Sequence, residues 1–284
     1  MRQYLRKNSK KHKNHVTPAL LACILMLSGC SLDGAVDKAN SLLEAPKETE
    51  SIEISETDLM VDYDENAELI DLNACDGNTL EITHAGTYVL NGTLDGQIYV
   101  DVDDELVHLI LQNADVYSKS GPALIVKSAS KLVLSCPEGT KNSLTDGNNY
   151  KNFEDEKSCI YTTCNLTVNG NGELYVYGYY KDAVRSKDVL KVIGTNLSVL
   201  SKNDGLRGND GVYVATDSMN IQCENDGIRT KNDDGNVELN GGSVSIVAGN
   251  YGINSAGDIS SHQCTMDIMA VVDAVHAEGS IYAE

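Results

Sequence analysis

The sequence predicts an all-β fold, a right-handed parallel β-helix of about 22 residues per coil, on three observations. First, one segment recurs: KDAVRSK at 181–187, NDGLRGN at 203–209, NDGIRTK at 225–231, NYGINSA at 250–256 and VDAVHAE at 272–278. Their second residues, Asp182, Asp204, Asp226, Tyr251 and Asp273, stand 22, 22, 25 and 22 positions apart, and a fixed period of this length marks a solenoid. Second, apolar and polar residues alternate in three short runs per repeat. Val184, Leu206 and Ile228 open one run; Leu190/Val192 and Val212/Val214 form another; Leu197/Val199, Met219/Ile221 and Val244/Ile246 form the third, with Ser198, Asn220 and Ser245 between them. Period two is the signature of strands with one buried face. Third, Gly and Asn punctuate the joins, and the 3.6 period of a helical solenoid is absent.

Taken in chain order, the first element is an export signal over 1–29. Arg2, Arg6, Lys7, Lys10, Lys11 and Lys13 precede an apolar run from about Val16 to Leu27, with no acid before Cys30. That run falls short of the ~20 apolar residues of a spanning helix, and a basic start followed by a short apolar run is a secretory signal. Leu27-Ser28-Gly29-Cys30 resembles the bacterial lipobox, which implies that Cys30 is lipidated and becomes the first residue of a protein held on the outer side of the cell membrane. Residues 30–65, rich in Ser, Glu, Asp, Lys and Ala, read as an acidic, solvated tether.

Residues 66–284 form the β-helix, roughly eight coils with a rise of ~4.8 Å each. Upstream the repeat continues through Ile160, Leu124 and Ile98, with Ser158, Pro122 and Gly96 at the anchor position. An insertion of about 137–157, acidic and Asn-rich, reads as a loop on one face. The chain ends at Glu284 within a coil, so the sequence reads as C-terminally incomplete.

The formal charge is −20, from 22 Lys plus Arg and 42 Asp plus Glu; removal of residues 1–29 takes away six basic residues and leaves −26. Such a chain repels phosphate backbones, which argues against nucleic acid, and attracts cations. Nothing in it points to a protein partner.

A lipobox, an acidic tether and a solenoid carrying NDG[LI]R segments together resemble a bacterial cell-surface carbohydrate-binding family, over about residues 60–284. That family is similar to the calcium-dependent pectate lyases of polysaccharide lyase family 9. The resemblance implies binding of cellulose-like or acidic pectin-like polysaccharide with calcium along the solenoid. The residues themselves suggest where. Asp182, Asp204 and Asp226 stack at coil spacing, and like charges so placed need a partner. Arg185, Arg207 and Arg229, three positions on, are one remedy. Calcium is the other, with Asn203, Asn225, Asp188 and Asp210 as further oxygen ligands. The alternative is an Asp–Arg ladder or plain turn residues without metal.

For the sugar, the same three arginines offer bidentate contacts to uronates, with calcium bridging the like charges of protein and polyanion. Tyr179 and Tyr180 at a corner offer stacking, while Tyr175 and Tyr177 count into the inward columns as core rings. Non-catalytic binding is the leading reading. The alternatives are a pectate lyase-like enzyme, for which Lys181, Lys187, Lys202 or Lys231 supplies the base, and a structural adhesin or spacer. Cys75, Cys136, Cys159, Cys164, Cys223 and Cys264 fit no zinc spacing and read equally as paired or as small core residues; the histidines show no ligand spacing, although His276 shares the arginine column.

Overall fold

The computed structural model describes residues 51–75, 79–151 and 153–284, so the export signal, Cys30 and the tether up to residue 50 lie outside the described residues. Alternation does what the sequence predicts: each coil contributes three short strands, every pairing is parallel, and the coils stack into a β-solenoid. The first face has nine strands: Thr79–Ile82, Gln97–Asp101, Leu124–Ser128, Ser158–Thr162, Asp182–Ser186, Leu206–Gly208, Ile228–Arg229, Ile253–Ser255 and Val275–Ala277. Nine coils therefore replace the eight expected. The added one is Thr79–Ile82, whose Leu80 pairs with Ile98.

The second face runs from Lys131–Ser135 through Asn165–Asn169, Val189–Ile193, Gly211–Ala215, Asn236–Asn240 and Ile259–His262 to Ile281–Ala283. The third runs from Lys141–Thr145 through Glu173–Gly178, Asn196–Ser201, Ser218–Cys223 and Ser243–Ala248 to Thr265–Ala270. The two are joined into one 16-stranded sheet because the long strand Leu106–Tyr117 turns the corner, pairing with Lys131–Ser135 at its start and with Lys141–Thr145 at its end.

Inward columns fill the interior with like on like. Leu124, Ile160, Val184, Leu206, Ile228 and Ile253 descend the first face, Leu190, Val212 and Val237 the second, and Leu197, Met219 and Val244 the third, all of them buried. Each such side chain contributes ~1.5–3 kcal/mol of burial. The glycine after the anchor Asp has a steric cause: a Cβ on Gly205 would stand 2.6 Å from the carbonyl oxygen of Gly227, and one on Gly227 would stand 2.5 Å from that of Gly252.

Four features depart from the sequence reading. Three residues separate Gly178 from Asp182 but only two separate Ser201 from Asp204, although Gly178 and Ser201 are partners. This extra corner residue slips the count by one, and a one-residue slip exchanges the faces of a strand. Tyr175 and Tyr177 therefore pair with Ser198 and Leu200 and point outward, while Leu174 and Val176 take the core places. The insertion is shorter than 137–157, since its residues 141–145 form a third-face strand; the remainder folds back over the first face, where Tyr150 stacks on Tyr180 at 4.2 Å and Phe153 lies against Gly121. None of the six described cysteines is in a disulfide, and Cys136, Cys159, Cys164 and Cys223 are core residues.

The fourth departure concerns the tether. Residues 52–60, read as part of a solvated stretch reaching 65, lie across the outer side of the second face. The Ile52 amide donates to Glu238 (2.6 Å), Lys191 Nζ donates to the Glu53 carbonyl (2.6 Å), and Ser135 and Asn169 donate to the Met60 carbonyl (3.0 and 2.6 Å). At the centre Asp58, in the one-turn 3-10 helix Glu56–Leu59, is wholly buried between Lys131 (2.5 Å) and Lys191 (2.8 Å) and also accepts from the Thr167 hydroxyl. Burial alone would raise its pKa, but the hydrogen bonds from Lys131 and Lys191 outweigh this and hold the carboxyl well below the usual range.

Removing one partner of a buried ion pair leaves the others uncompensated. Asp58→Ala is therefore expected to lower the unfolding free energy by about 3–5 kcal/mol, measured from urea denaturation midpoints. Because the folded-state pKa is depressed, the stabilisation is present above the unfolded-state value near 4 and is lost as pH falls below it. The gap between wild type and variant should shrink on acidification below about pH 4.

Candidate functional site

The anchor column forms as predicted: Asp182, Asp204 and Asp226 stand on successive coils, 3%, 0% and 0% exposed. Their partners are hydrogen-bond donors. Asp182 Oδ1 accepts from Asn203 Nδ2 (2.5 Å) and the Asp204 amide (3.2 Å); Asp204 Oδ1 accepts from Asn225 Nδ2 (2.5 Å) and the Asp226 amide (3.3 Å). Asp226 ends the series, with Oδ1 taken by Asn250 (2.7 Å) and the Tyr251 amide (3.2 Å) and Oδ2 by Asn254 (2.8 Å). Each carboxylate is thus held by the asparagine of the next coil. Asn250 and Asn254, which close the column, were not singled out from the sequence; the NYGIN segment carries the signal, since it keeps both asparagines where the anchor itself becomes Tyr251.

The arginine column stands beside it. Arg185, Arg207 and Arg229 are partners across the first face, followed by Asn254 and His276. Asp204 Oδ2, which accepts no hydrogen bond, lies 3.9 Å from Arg207 and 3.7 Å from Arg229, and Arg229 is 3.6 Å from Asp226. Burial, then repulsion from Asp182, raises the Asp204 pKa to about 6. Burial, then the neighbouring Arg185, lowers that of Arg207. Arg207 and Arg229 therefore spend much of their charge on the ladder beneath them.

Calcium needs six to eight oxygen ligands with free lone pairs. In the ladder the Oδ1 atoms accept from N–H donors, and Asn203 and Asn225 turn their NH2 groups toward the carboxylates, while Asp204 Oδ2 accepts no hydrogen bond. The second acidic column, Asp188 and Asp210, is more open; burial, then Asp210, raises the Asp188 pKa, and Asn232 donates to Asp210. Among the described residues no group of three His, Cys, Asp or Glu side chains is gathered to hold a metal.

Of the predicted stacking residues, Tyr180 is half-buried beneath Tyr150, whereas Tyr179 is exposed and stacks on Tyr177 at 6.1 Å. Lys202 is paired with Glu224; Lys187 lies 5.8 Å over the Tyr161 ring, and its pKa is raised by that tyrosine, the reverse of what a general base needs.

The third face carries a surface that the sequence reading passed over because of the Tyr175 slip. Its outward columns read Asp115, Ser143, Tyr175, Ser198, Asn220, Ser245, Asp267 and Tyr117, Thr145, Tyr177, Leu200, Gln222, Val247, Met269. The large rings stop after the coil of Tyr175, and the small residues beyond leave a trough of about 290 Å3 between Tyr175/Tyr177 and Ser245/Val247. An adjoining hollow of about 190 Å3 lies against Tyr179, Lys202 and Glu224 and shares Leu200 and Gln222 with the trough.

The solenoid repeats its outward columns coil by coil. The chain belongs to the family of carbohydrate-binding domain-containing proteins, whose model matches residues 76–282. A carbohydrate-binding domain-containing protein of Acetivibrio thermocellus is 29% identical over 195 residues, which cover 66% of this chain and 65% of that relative. The match thus spans a little under two thirds of the relative's length. Among solved structures, the polysaccharide lyase-like protein from C. thermocellum, as a gadolinium derivative, superposes with a TM-score of 0.68 at 27% identity, covering 77% of this chain and 96% of that one.

The ladder's energetics are open to test. A carboxyl whose folded-state pKa is raised binds protons more readily in the native state, so its contribution to stability falls as pH rises from about 4 to about 6. Asp204→Asn removes this dependence. The stability of wild type relative to the variant should be higher near pH 4 than near pH 7, measured by thermal melts at matched ionic strength.

Proposed function

We propose that this chain is a non-catalytic polysaccharide-binding module, exported and held on the outer side of the cell membrane by a lipid on Cys30, with no nucleic-acid ligand. One observation carries the binding reading. Outward side chains repeat in register over six or more coils on an open surface, so that successive units of a polymer meet successive equivalent positions. Family membership supports the same class of ligand. The Asp–Asn–Arg column is a supporting frame of the fold in this reading, and the N–H donors on its Oδ1 atoms favour binding that does not depend on calcium. The description of the C. thermocellum neighbour as polysaccharide lyase-like favours a second reading, eliminative cleavage of an acidic polysaccharide.

Affinity electrophoresis of the full chain through gels containing hydroxyethylcellulose or polygalacturonate separates the two. Retardation in at least one gel, unchanged by a chelator, is the expected result. Absorbance of unsaturated uronate products that grows with time in polygalacturonate would overturn the non-catalytic reading, and retardation lost in chelator would restore calcium to the binding step.

A further inference from the structure

Two of the three faces are spoken for. The second is crossed by residues 52–60, from Glu238 back to Ser135. The loop after Asp146 stacks Tyr150 on Tyr180 at the edge of the first, Lys187 lies over Tyr161, and further along Arg207 and Arg229 are engaged with Asp204 and Asp226. Among the described residues no segment crosses the third-face trough, and its chemistry is of one kind. Tyr177, Leu200 and Val247 offer flat or apolar surface along one column, which Gln222 interrupts; Ser198, Asn220 and Ser245 offer uncharged hydrogen-bonding groups along the other. The cations at its borders are already paired, Lys202 with Glu224 and Lys141 with Glu173 at 3.2 Å, while Asp115 and Asp267 stand at the two ends of the polar column. A polyanion laid here meets repulsion, and among the described residues lining the trough there is no cation to offset it. An uncharged sugar meets an apolar wall for its C–H face and amide and hydroxyl groups for its hydroxyls.

We infer that the third-face trough, from Tyr177 to Val247, is the docking surface for an uncharged, extended polysaccharide lying along the solenoid axis. The inference rests on the polysaccharide-binding reading above and adds to it the face and the charge class of the ligand. Tyr177 and Tyr179, parallel to within 10°, form the step at which the polysaccharide begins. Ser198, Asn220 and Ser245 then follow at one coil rise of ~4.8 Å each, so a longer chain gains contacts until it has crossed all three coils.

The test uses the full chain and two variants that act in opposite ways, Tyr177→Ala, which removes the wall, and Asn220→Arg, which fills the trough. Calorimetric titration with cello-oligosaccharides of increasing length is expected to show affinity rising with length and levelling off, with each variant binding at least tenfold more weakly while melting within a few degrees of wild type. If one variant does not fold, the other decides alone. Equal affinity in wild type and a folded variant would remove the trough while leaving polysaccharide binding intact. Wild-type binding to oligogalacturonides but not to cello-oligosaccharides would overturn the uncharged class. Failure of wild type to bind either series, or either polymer in gels, would instead remove the reading on which the inference stands.

Discussion

Stacking of equivalent residues at one coil rise is the constraint from which the rest of this structure follows. A parallel solenoid places each side chain directly over its counterpart in the coil before. Apolar columns gain from this without cost, since Leu206 over Val184 and under Ile228 is simply a continuous core. Charged columns do not. The chain resolves its acidic column by setting an asparagine before the anchor position of each following coil (Asn203, Asn225 and Asn250), so that each carboxylate receives an N–H from that coil, and by setting Arg207 and Arg229 against Asp204 and Asp226. The NDG[LI]R segment is the sequence form of that solution: Asn for the donor, Asp for the acceptor, Gly for the close carbonyl, an apolar residue for the core and Arg for the charge.

Because the same rule governs interior and exterior, much of the fold was legible in the sequence. The columns starting at Val184, Leu190 and Leu197 could be counted without coordinates, as could the Asp and Arg columns. Errors arose where the count was broken. One added residue between Gly178 and Asp182 reversed the reading of Tyr175 and Tyr177, and with them hid the third-face surface. The orientation of Asn203 and Asn225 is not fixed by the sequence: an amide presents either an acceptor or a donor, and here the NH2 ends meet the carboxylates. Residues 52–60 were beyond local reading altogether. Their composition is that of a solvated linker, and they dock through backbone groups and one buried acid whose partners lie more than seventy residues away. The available hint was Lys191, an outward lysine flanked in its column by Thr167 and Tyr213 and so without an acid in either adjacent strand.

Surface chemistry divides along the three faces. The first is polar and ionic, the second carries an intramolecular cover, and the third mixes aromatic, aliphatic and neutral polar groups. Such a division confines the ionic chemistry of a strongly negative chain to part of its surface. Charge keeps copies of the chain apart, while the trough keeps its own cations neutralised and its small side chains in line.

The path of residues 52–60 also fixes how the solenoid is loaded when its N-terminal side is pulled. The segment enters at Glu238 and travels toward the first coils, against the direction in which the coils are wound. Tension arriving at residue 51 meets the Ile52–Glu238 bond first, then Glu53–Lys191, and only afterwards the buried Asp58 cluster. Detachment from that end is a zipper opened one tooth at a time, with its strongest tooth placed deep in the row. Force reaches the first coils, through residues 61–71, only after that tooth has given way.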